Sequence, residues 1–428
     1  MKTTITSIKA RQIQAGRGFP GVEATVKTEC GAVGRAVCTA GVSIGTHEVP
    51  FAYDGGEKWQ GKGVMKAVNA VNELIAPAIL GMDSAKQIEI DNVMLTIGKS
   101  VLGGNATGAV SAAVLKAGAA SLEIPLYQHI GGASAFMLPV PGTDCFYGST
   151  RYGNDGRKTG GKPSYTFMAY DFSSFSEASY ALWDINDRWR TALKEKYGLS
   201  FGNNIRTGIV VPRGYVANDI ELWDFATEII NKYGYENRIG LQVDIASDTY
   251  YNKETQLFEG LFDSKPRDID ELYDFLVQMT KTHPFVIIED PLPEDDYALT
   301  GKYTADVDIQ ITGDDLFTTN PARVREGIKY GAANSVLLKV NQIGSITEAF
   351  DMVNLAYMNE YGVMPCSSRG EGIDICDYSV GLKVTTVREC GLGEYANRFI
   401  AIEEELGPRG VFAGKHGLKG ARFSQKNS

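Results

Sequence analysis

Asp244, Glu289, Asp314 and Lys339 each stand at the carboxyl end of an apolar run: IGLQVD, PFVIIED, VDIQITGDD and SVLLKVNQIG. They lie 45, 25 and 25 residues apart, and about 25 residues is one strand, one helix and two short connections. Parallel strands covered on both faces read as continuous apolar runs. A β/α barrel keeps its functional groups at the carboxyl ends of such strands. The spacing therefore predicts an α/β chain of barrel type, with four charged side chains meeting at one rim. Three carboxylates brought together repel one another unless a cation joins them. Oxygen ligands of this kind suit a hard divalent ion, so Mg²⁺ is the expected cofactor. Lys339, one strand further round, is the candidate base. Read singly, each residue would be an ordinary strand cap or a salt-bridged rim residue. Four in register argue for a site.

A chain of 428 residues suits a barrel plus a smaller domain. Residues 1–137 read as an α+β capping domain and 138–428 as the barrel with the metal site, joined at LPVPG. The N-terminal part opens with strand-like runs, TSIKARQIQ and GVEATVKTEC, around the turn signal GRGFPG. A Gly-rich loop, TAGVSIGTHE, follows. From Lys62 to Leu80, Val64, Val68, Val71, Ile75 and Ile79 keep helical spacing, and a small-residue helix runs from about 109 to 122. The segment 153–165, GNDGRKTGGKPSY, is polar enough to be an exposed loop. Its Arg157, Lys158 and Lys162 either close over an anionic substrate or are simply solvated. The basic C-terminal tail reads as loosely ordered.

A net charge of −10 argues against nucleic acid or an anionic membrane as partner. No apolar run approaches the length of a membrane span, and the N-terminus lacks the apolar core of a signal peptide. The six cysteines (Cys30, Cys38, Cys145, Cys366, Cys376, Cys390) show no CxxC pairing, which fits reduced thiols in the cytoplasm.

Over nearly its full length the chain resembles the enolase (phosphopyruvate hydratase) family. The matching pieces are ARQIQAGRGFPGVEATV, GVSIGTHE, GKGVMKAVNAVNELIAPAILGMD, KAGAASLEIPLYQHIGG, LPVP, VIIEDPLPEDD, GDDLFTTNP, LLKVNQIG and IEEELG, in family order. The resemblance implies a small N-terminal α+β domain on a β/α barrel, a homodimer, and Mg²⁺ at the strand ends. By this likeness Asp244, Glu289 and Asp314 ligate the structural magnesium, and Lys339 removes the proton next to the substrate carboxylate. Ser43, in GVSIGTHE, matches a ligand to a second magnesium, and His47 in the same loop matches a histidine that touches substrate or is merely solvated. Arg17 lies where the family makes dimer contacts, with Glu404 or Glu405 as its partner across the interface or within the chain. Asp290 and Asp315 read as groups that orient the ligands or the lysine.

The departures fall on the second half of the family reaction, where a leaving hydroxide needs a proton. The family's donor glutamate lies in a GDEGG-type motif, and a supporting glutamate in a QEFM motif. Here these positions read Arg206-Thr207-Gly208 and Tyr165-Thr166-Phe167-Met168, so the two carboxyls become Thr207 and Thr166. A threonine hydroxyl is far too weak an acid for this task. The family's SHRSGE run reads Ser367-Ser368-Arg369-Gly370-Glu371: the histidine is lost or becomes Ser368, and Arg369 stays. The histidine of a GGSHAG run becomes Arg151. The second active-site lysine, in a GQIKTG run, aligns with Arg388, Lys383 being the competing position. The pocket thus loses negative charge and gains permanent positive charge, and arginine forks bind carboxylates and phosphates bidentately.

These residues point to an Mg²⁺-dependent lyase that forms an enediolate through Lys339 and eliminates a β group. Its substrate would be a small carboxylate or phospho-acid more anionic than 2-phosphoglycerate, or one with a second carboxylate placed differently. The proton donor is open among Tyr165, Tyr147 and a metal-bound water, unless the leaving group needs none. Two rival readings stand beside it: a conventional phosphopyruvate hydratase with a substitute acid, and a non-catalytic binding protein that kept the fold.

Overall fold

The computed structural model describes residues 2–41, 44–148, 152 and 161–424. Near the N-terminus β1 (Ile5–Gln14), β2 (Pro20–Thr28) and β3 (Val33–Cys38) form an antiparallel meander. The sequence reading had separated only the first two of these. The helix Gly104–Ser121 lies across the sheet, and at Gly34 a β-carbon would fall 1.9 Å from the Ala113 carbonyl oxygen. Glycine is what permits that approach. This helix begins about five residues earlier than its sequence pattern suggested. It is buried nearly all round, so no polar stripe marks its first turn. The stretch predicted as helix from Lys62 is helical from Met65 to Ile79, with a wider-wound segment, Ala70–Ile75, just ahead of Pro77. Proline has no N–H to return to the preceding turn.

Eight strands then build the barrel: β4 (Val140–Tyr147), β5 (Ser164–Ala169), β6 (Ile239–Asp244), β7 (Phe285–Glu289), β8 (Gln310–Gly313), β9 (Ser335–Leu338), β10 (Gly362–Pro365) and β11 (Thr386–Val387). Their order is β10-β9-β8-β7-β6-β5-β4-β11, and a bridge between Cys366 and Arg388 closes the ring. The expectation of uniformly parallel strands is corrected at β5, which runs antiparallel to both β4 and β6. A strand buried on both faces carries the same apolar signature in either direction. The site rim is therefore formed by the carboxyl ends of seven strands and the amino end of β5.

Helix starts are set by local chemistry. Ser174, Asp268, Asn320 and Ser345 each accept a hydrogen bond from the first turn of the helix that follows, and Asp268 forms a capping box with Glu271. Outside the barrel, Tyr165 stacks on Phe146 at 4.2 Å between ring centroids, beside the buried Trp189 and Trp223. The N-terminal part is fastened to the rim by Lys99–Glu348 and Lys116–Asp374 ion pairs, each 2.8 Å, and by backbone bonds from Thr39 to Arg369 and Val49 to Gln342.

The segment read as an exposed loop needs partial correction. Ser164 and Tyr165 belong to β5, and Lys162 is buried in the barrel mouth rather than solvated. Arg157 and Lys158 lie outside the described residues. All six cysteines are free. Among the described residues no single helix is long and apolar enough to cross a membrane.

Candidate active site and metal centre

Asp244 and Glu289 are the last residues of β6 and β7 and are paired in register, while Asp314 and Lys339 directly follow β8 and β9. All four are almost fully buried. Lys339 Nζ donates to Asp314 Oδ2 at 2.5 Å. Arg388 Nη1 bridges Asp244 Oδ2 at 2.5 Å and Glu289 Oε1 at 2.7 Å. Lys162 Nζ also rests on Asp244 Oδ2. Side-chain amides hold the remaining oxygens, Gln242 on Glu289 Oε2 at 3.0 Å and Gln342 on Asp314 Oδ1 at 2.7 Å. Three carboxylates thus face three basic groups, Lys162, Lys339 and Arg388.

Asp290 follows Glu289 with φ at +44°. That turn lets its carboxylate accept the backbone N–H groups of Asp314 (2.9 Å) and Asp315 (2.8 Å). It shapes the bend that carries Asp314.

Burial works against every charge here, and the pairings decide the outcome. Burial alone would raise the Asp314 carboxyl, yet Lys339 holds it well below the usual carboxylate range. Burial would lower Lys339, yet the Asp314 charge lifts it above an ordinary lysine. Lys162 is pushed down to about 8 by burial and by Arg388. Lys339 is consequently protonated in this arrangement, and a base must be neutral. Engaging Asp314 with another cation would loosen that hold.

The residues fit a hard divalent ion. Oxygens of Glu289, Asp290 and Asp314 lie within 4.8 Å of one another, a group that contains Asp290, expected to orient rather than ligate, and not Asp244. Asp244 Oδ1 is a buried acceptor with no partner among the described residues, and such an atom is what a cation would engage.

A cavity of about 340 Å³ opens beside Lys162, Lys339 and Arg388, with Arg17, Ser368 and Arg369 also in its wall; Asp244, Glu289 and Asp314 do not line it. Asp144, Tyr147 and Glu389 line it too. Arg388 is further oriented by Ser164 Oγ at 2.8 Å and Glu389 Oε1 at 2.7 Å. Arg369 is gripped by both oxygens of Glu48, which the N-terminal part delivers to the rim. Glu48→Gln should therefore lower stability by about 1.5–3 kcal/mol, the worth of hydrogen bonds to a charged group. Urea unfolding checks this, and an unchanged midpoint would show that Glu48 does not anchor Arg369.

The other expected site residues scatter. Arg388 lies in the site, whereas Lys383 is exposed. Ser368 lines the cavity, its carbonyl accepting from Arg17 at 2.8 Å. Arg17 and Glu405 both have partners within their own chain, Glu405 pairing with Arg398 at 3.3 Å. Thr166 is wholly buried on β5, two residues below Ser164, and its hydroxyl has no partner among the described residues. Thr207 is exposed on a loop, where its carbonyl accepts from Arg190 at 3.0 Å. It lines a neighbouring cavity of about 660 Å³. His47 bonds Asp295 at 2.9 Å and does not line the cavity over Lys339. Ser43 and Arg151 lie outside the described residues. Tyr165 is corrected as a candidate proton donor: it points outward, with its hydroxyl on Asp219 at 2.6 Å. Alternation along β5 puts Ser164 and Thr166 inside and Tyr165 outside.

Glu48, Asp144 and Glu389 were missed, and Lys162 was read only as one of three basic residues that close over a substrate or are solvated. Lys162 carried one usable signal, its position two residues ahead of a strand that starts at the rim.

Comparison with known proteins adds an independent line. Residues 5–130 match the family model "Enolase, N-terminal domain", and residues 135–421 match "Enolase, C-terminal TIM barrel domain". The chain is 39% identical over 427 residues to a protein named Enolase from Pyrococcus furiosus, covering 96% of this chain and 97% of that one. It is 38% identical to the Enolase of Methanopyrus kandleri over 95% and 99% of the two chains. To the Enolase of Bifidobacterium animalis subsp. lactis it is 36% identical over 98% and 99%.

Proposed function

The chain belongs to the enolase family, and from that premise we propose that it is an Mg²⁺-dependent carbon–oxygen lyase. It removes the proton next to a carboxylate with Lys339 and expels a β group from a small anionic acid. The observation that carries this reading is the buried Lys339 ammonium against Asp314, one strand from Glu289 and two from Asp244.

A proton next to a carboxylate is very weakly acidic, because the resulting anion puts nearly two charges on one carboxyl group. An Mg²⁺ ion held by Asp244, Glu289 and Asp314 would offset that charge as it develops. Lys339 takes the proton at Nζ once Asp314 no longer holds it protonated. Arg388 and Lys162, with Arg369 and Arg17 nearby, orient the anionic groups of the substrate. The three basic groups already match the three carboxylates. A bound divalent ion, with Arg17 on the cavity wall, would add positive charge for the substrate, which favours a multiply charged acid. A homodimer in the cytoplasm belongs to the same reading and rests on the family likeness.

Metal binding gives the first test. At 100 times its dissociation constant, Mg²⁺ should stabilise the protein by about 2.7 kcal/mol, and Glu289→Gln should remove most of that gain. Thermal melts with Mg²⁺ and with EDTA measure it. Reaction is tested by NMR in D₂O on 2-phosphoglycerate and on acids bearing a second carboxylate or phosphate. At least one should exchange its α proton in a Lys339-dependent way. No exchange in any of them, together with no Mg²⁺ stabilisation, would sink the reading and favour a binding protein. The second reading, phosphopyruvate hydratase, is favoured by the relatives named Enolase. Robust formation of phosphoenolpyruvate from 2-phosphoglycerate would establish it.

A further inference from the structure

Elimination of hydroxide needs an acid, and neither Thr166 nor Thr207 can supply the proton. We propose that Asp144 is the proton donor, standing between the two positions at which the carboxyl groups are missing. The inference rests on the lyase reading above.

The register of β4 and β5 sets Asp144 directly opposite Thr166. Cross-strand partners share a face, with β-carbons about 4.5–5.5 Å apart, so the Asp144 carboxyl serves the space a longer acid at 166 would have reached. The loop carrying Thr207 leans on the same group. A β-carbon built on Gly208 would lie 3.3 Å from the Asp144 β-carbon and 2.8 Å from the Tyr147 ring. Asp144 lines both cavities, the one with Lys339 and Arg388 and the one with Thr207. One carboxyl thus stands where two strands and the Thr207 loop converge.

Its surroundings suit an acid. Asp144 is 9% exposed. Oδ2 accepts the Tyr147 hydroxyl at 2.5 Å, whereas Oδ1 is buried and has no partner among the described residues. Oδ1 is therefore the carboxyl oxygen left to carry a proton. The charged groups around it are Glu389, Arg388 and Lys162, with Tyr147 on its own strand. Burial and Glu389 push the carboxyl up to about 7, against the pull of Tyr147, Arg388 and Lys162. An acid with a pKa near the working pH is the efficient one.

The step balances. Lys339 Nζ takes the α proton, and the C–H electron pair becomes the enediolate and then the carbon–carbon double bond. The Cβ–O bond breaks with its pair on oxygen, and the Asp144 proton joins that oxygen, which departs as water. Lys339 is left protonated and Asp144 ionised, and exchange with solvent resets both.

Asp144→Asn tests this, since it keeps size and a hydrogen-bond acceptor for Tyr147. With Mg²⁺ and 2-phosphoglycerate, α-proton exchange in the variant should stay within about threefold, while elimination falls by about 100-fold or more. The wild-type elimination rate should drop as pH rises through about 7, where Asp144 loses its proton. Tyr147→Phe removes a bond that favours the ionised form, so it should move that fall to higher pH. Independently of any substrate, the wild-type minus Asn infrared difference should show a protonated-carboxyl band that disappears through the same pH range. Elimination retained in the Asn variant, equal loss of exchange and elimination, or absence of the carboxyl band would each overturn the proposal. Where the wild type turns over another of the tested acids and not 2-phosphoglycerate, the same Asp144→Asn comparison is made on that acid; no exchange in any of them, with no Mg²⁺ stabilisation, sinks the lyase reading and this proposal with it.

Discussion

Lys339→Ala should lower α-proton exchange and elimination together, by about 10²–10⁴-fold, the usual contribution of a positioned base. The two rates fall together because both begin with the same proton transfer, which distinguishes this variant from Asp144→Asn. The substitution also strips Asp314 of its ammonium partner at 2.5 Å. A buried carboxylate left without its cation costs several kcal/mol, so stability without metal should fall as well. Saturating Mg²⁺ should restore most of that stability and none of the activity. NMR exchange and unfolding curves, each with and without Mg²⁺, separate the two effects. Exchange persisting within tenfold of wild type would remove Lys339 from the role of base.

Arg388→Ala has the largest expected effect on the fold. Its guanidinium joins Asp244 to Glu289, 2.5 and 2.7 Å away, at a site where both carboxylates are buried. Among the described residues, removing it leaves the Glu289 carboxylate with the Gln242 amide and Asp244 with Lys162. Breaking one partner out of a buried pair typically costs about 3–5 kcal/mol, and that is the loss expected in EDTA. Mg²⁺ offers the same carboxylates another cation, so the deficit should shrink markedly when metal saturates. Urea unfolding in the two conditions gives the comparison. An equal deficit in both would mean that Arg388 stabilises the barrel through Ser164 and Glu389 alone, and that the carboxylates do not take a divalent ion.

The cluster of Asp244, Glu289, Asp314 and Lys339, to which the proposed enediolate chemistry is assigned, was legible along the chain. Asp244, Glu289, Asp314 and Lys339 each close an apolar run, and the barrel brings strand ends together whatever the loops do. The helices with a capping residue and a polar face were equally readable. Residue identity at Thr166 and Thr207 also announced that an acid was missing. The proposed replacement was not readable, because nothing about Asp144 within LPVPGTDCFYG distinguishes it from an ordinary strand residue.

Folding in three dimensions decided the rest. The reversal of β5 turned its amino end to the rim, which brings Lys162 and Ser164 to the charges. One step of strand alternation sent Tyr165 outward to Asp219 and kept Thr166 inside. Asp144 acquires its meaning from the register with Thr166 and from the approach of Gly208. Periodicity is written locally, since each strand and helix repeats on a scale of a few residues. Strand direction, loop approach and the balance between burial and neighbouring charge depend on groups distant in sequence, so the chain states them only once it has closed.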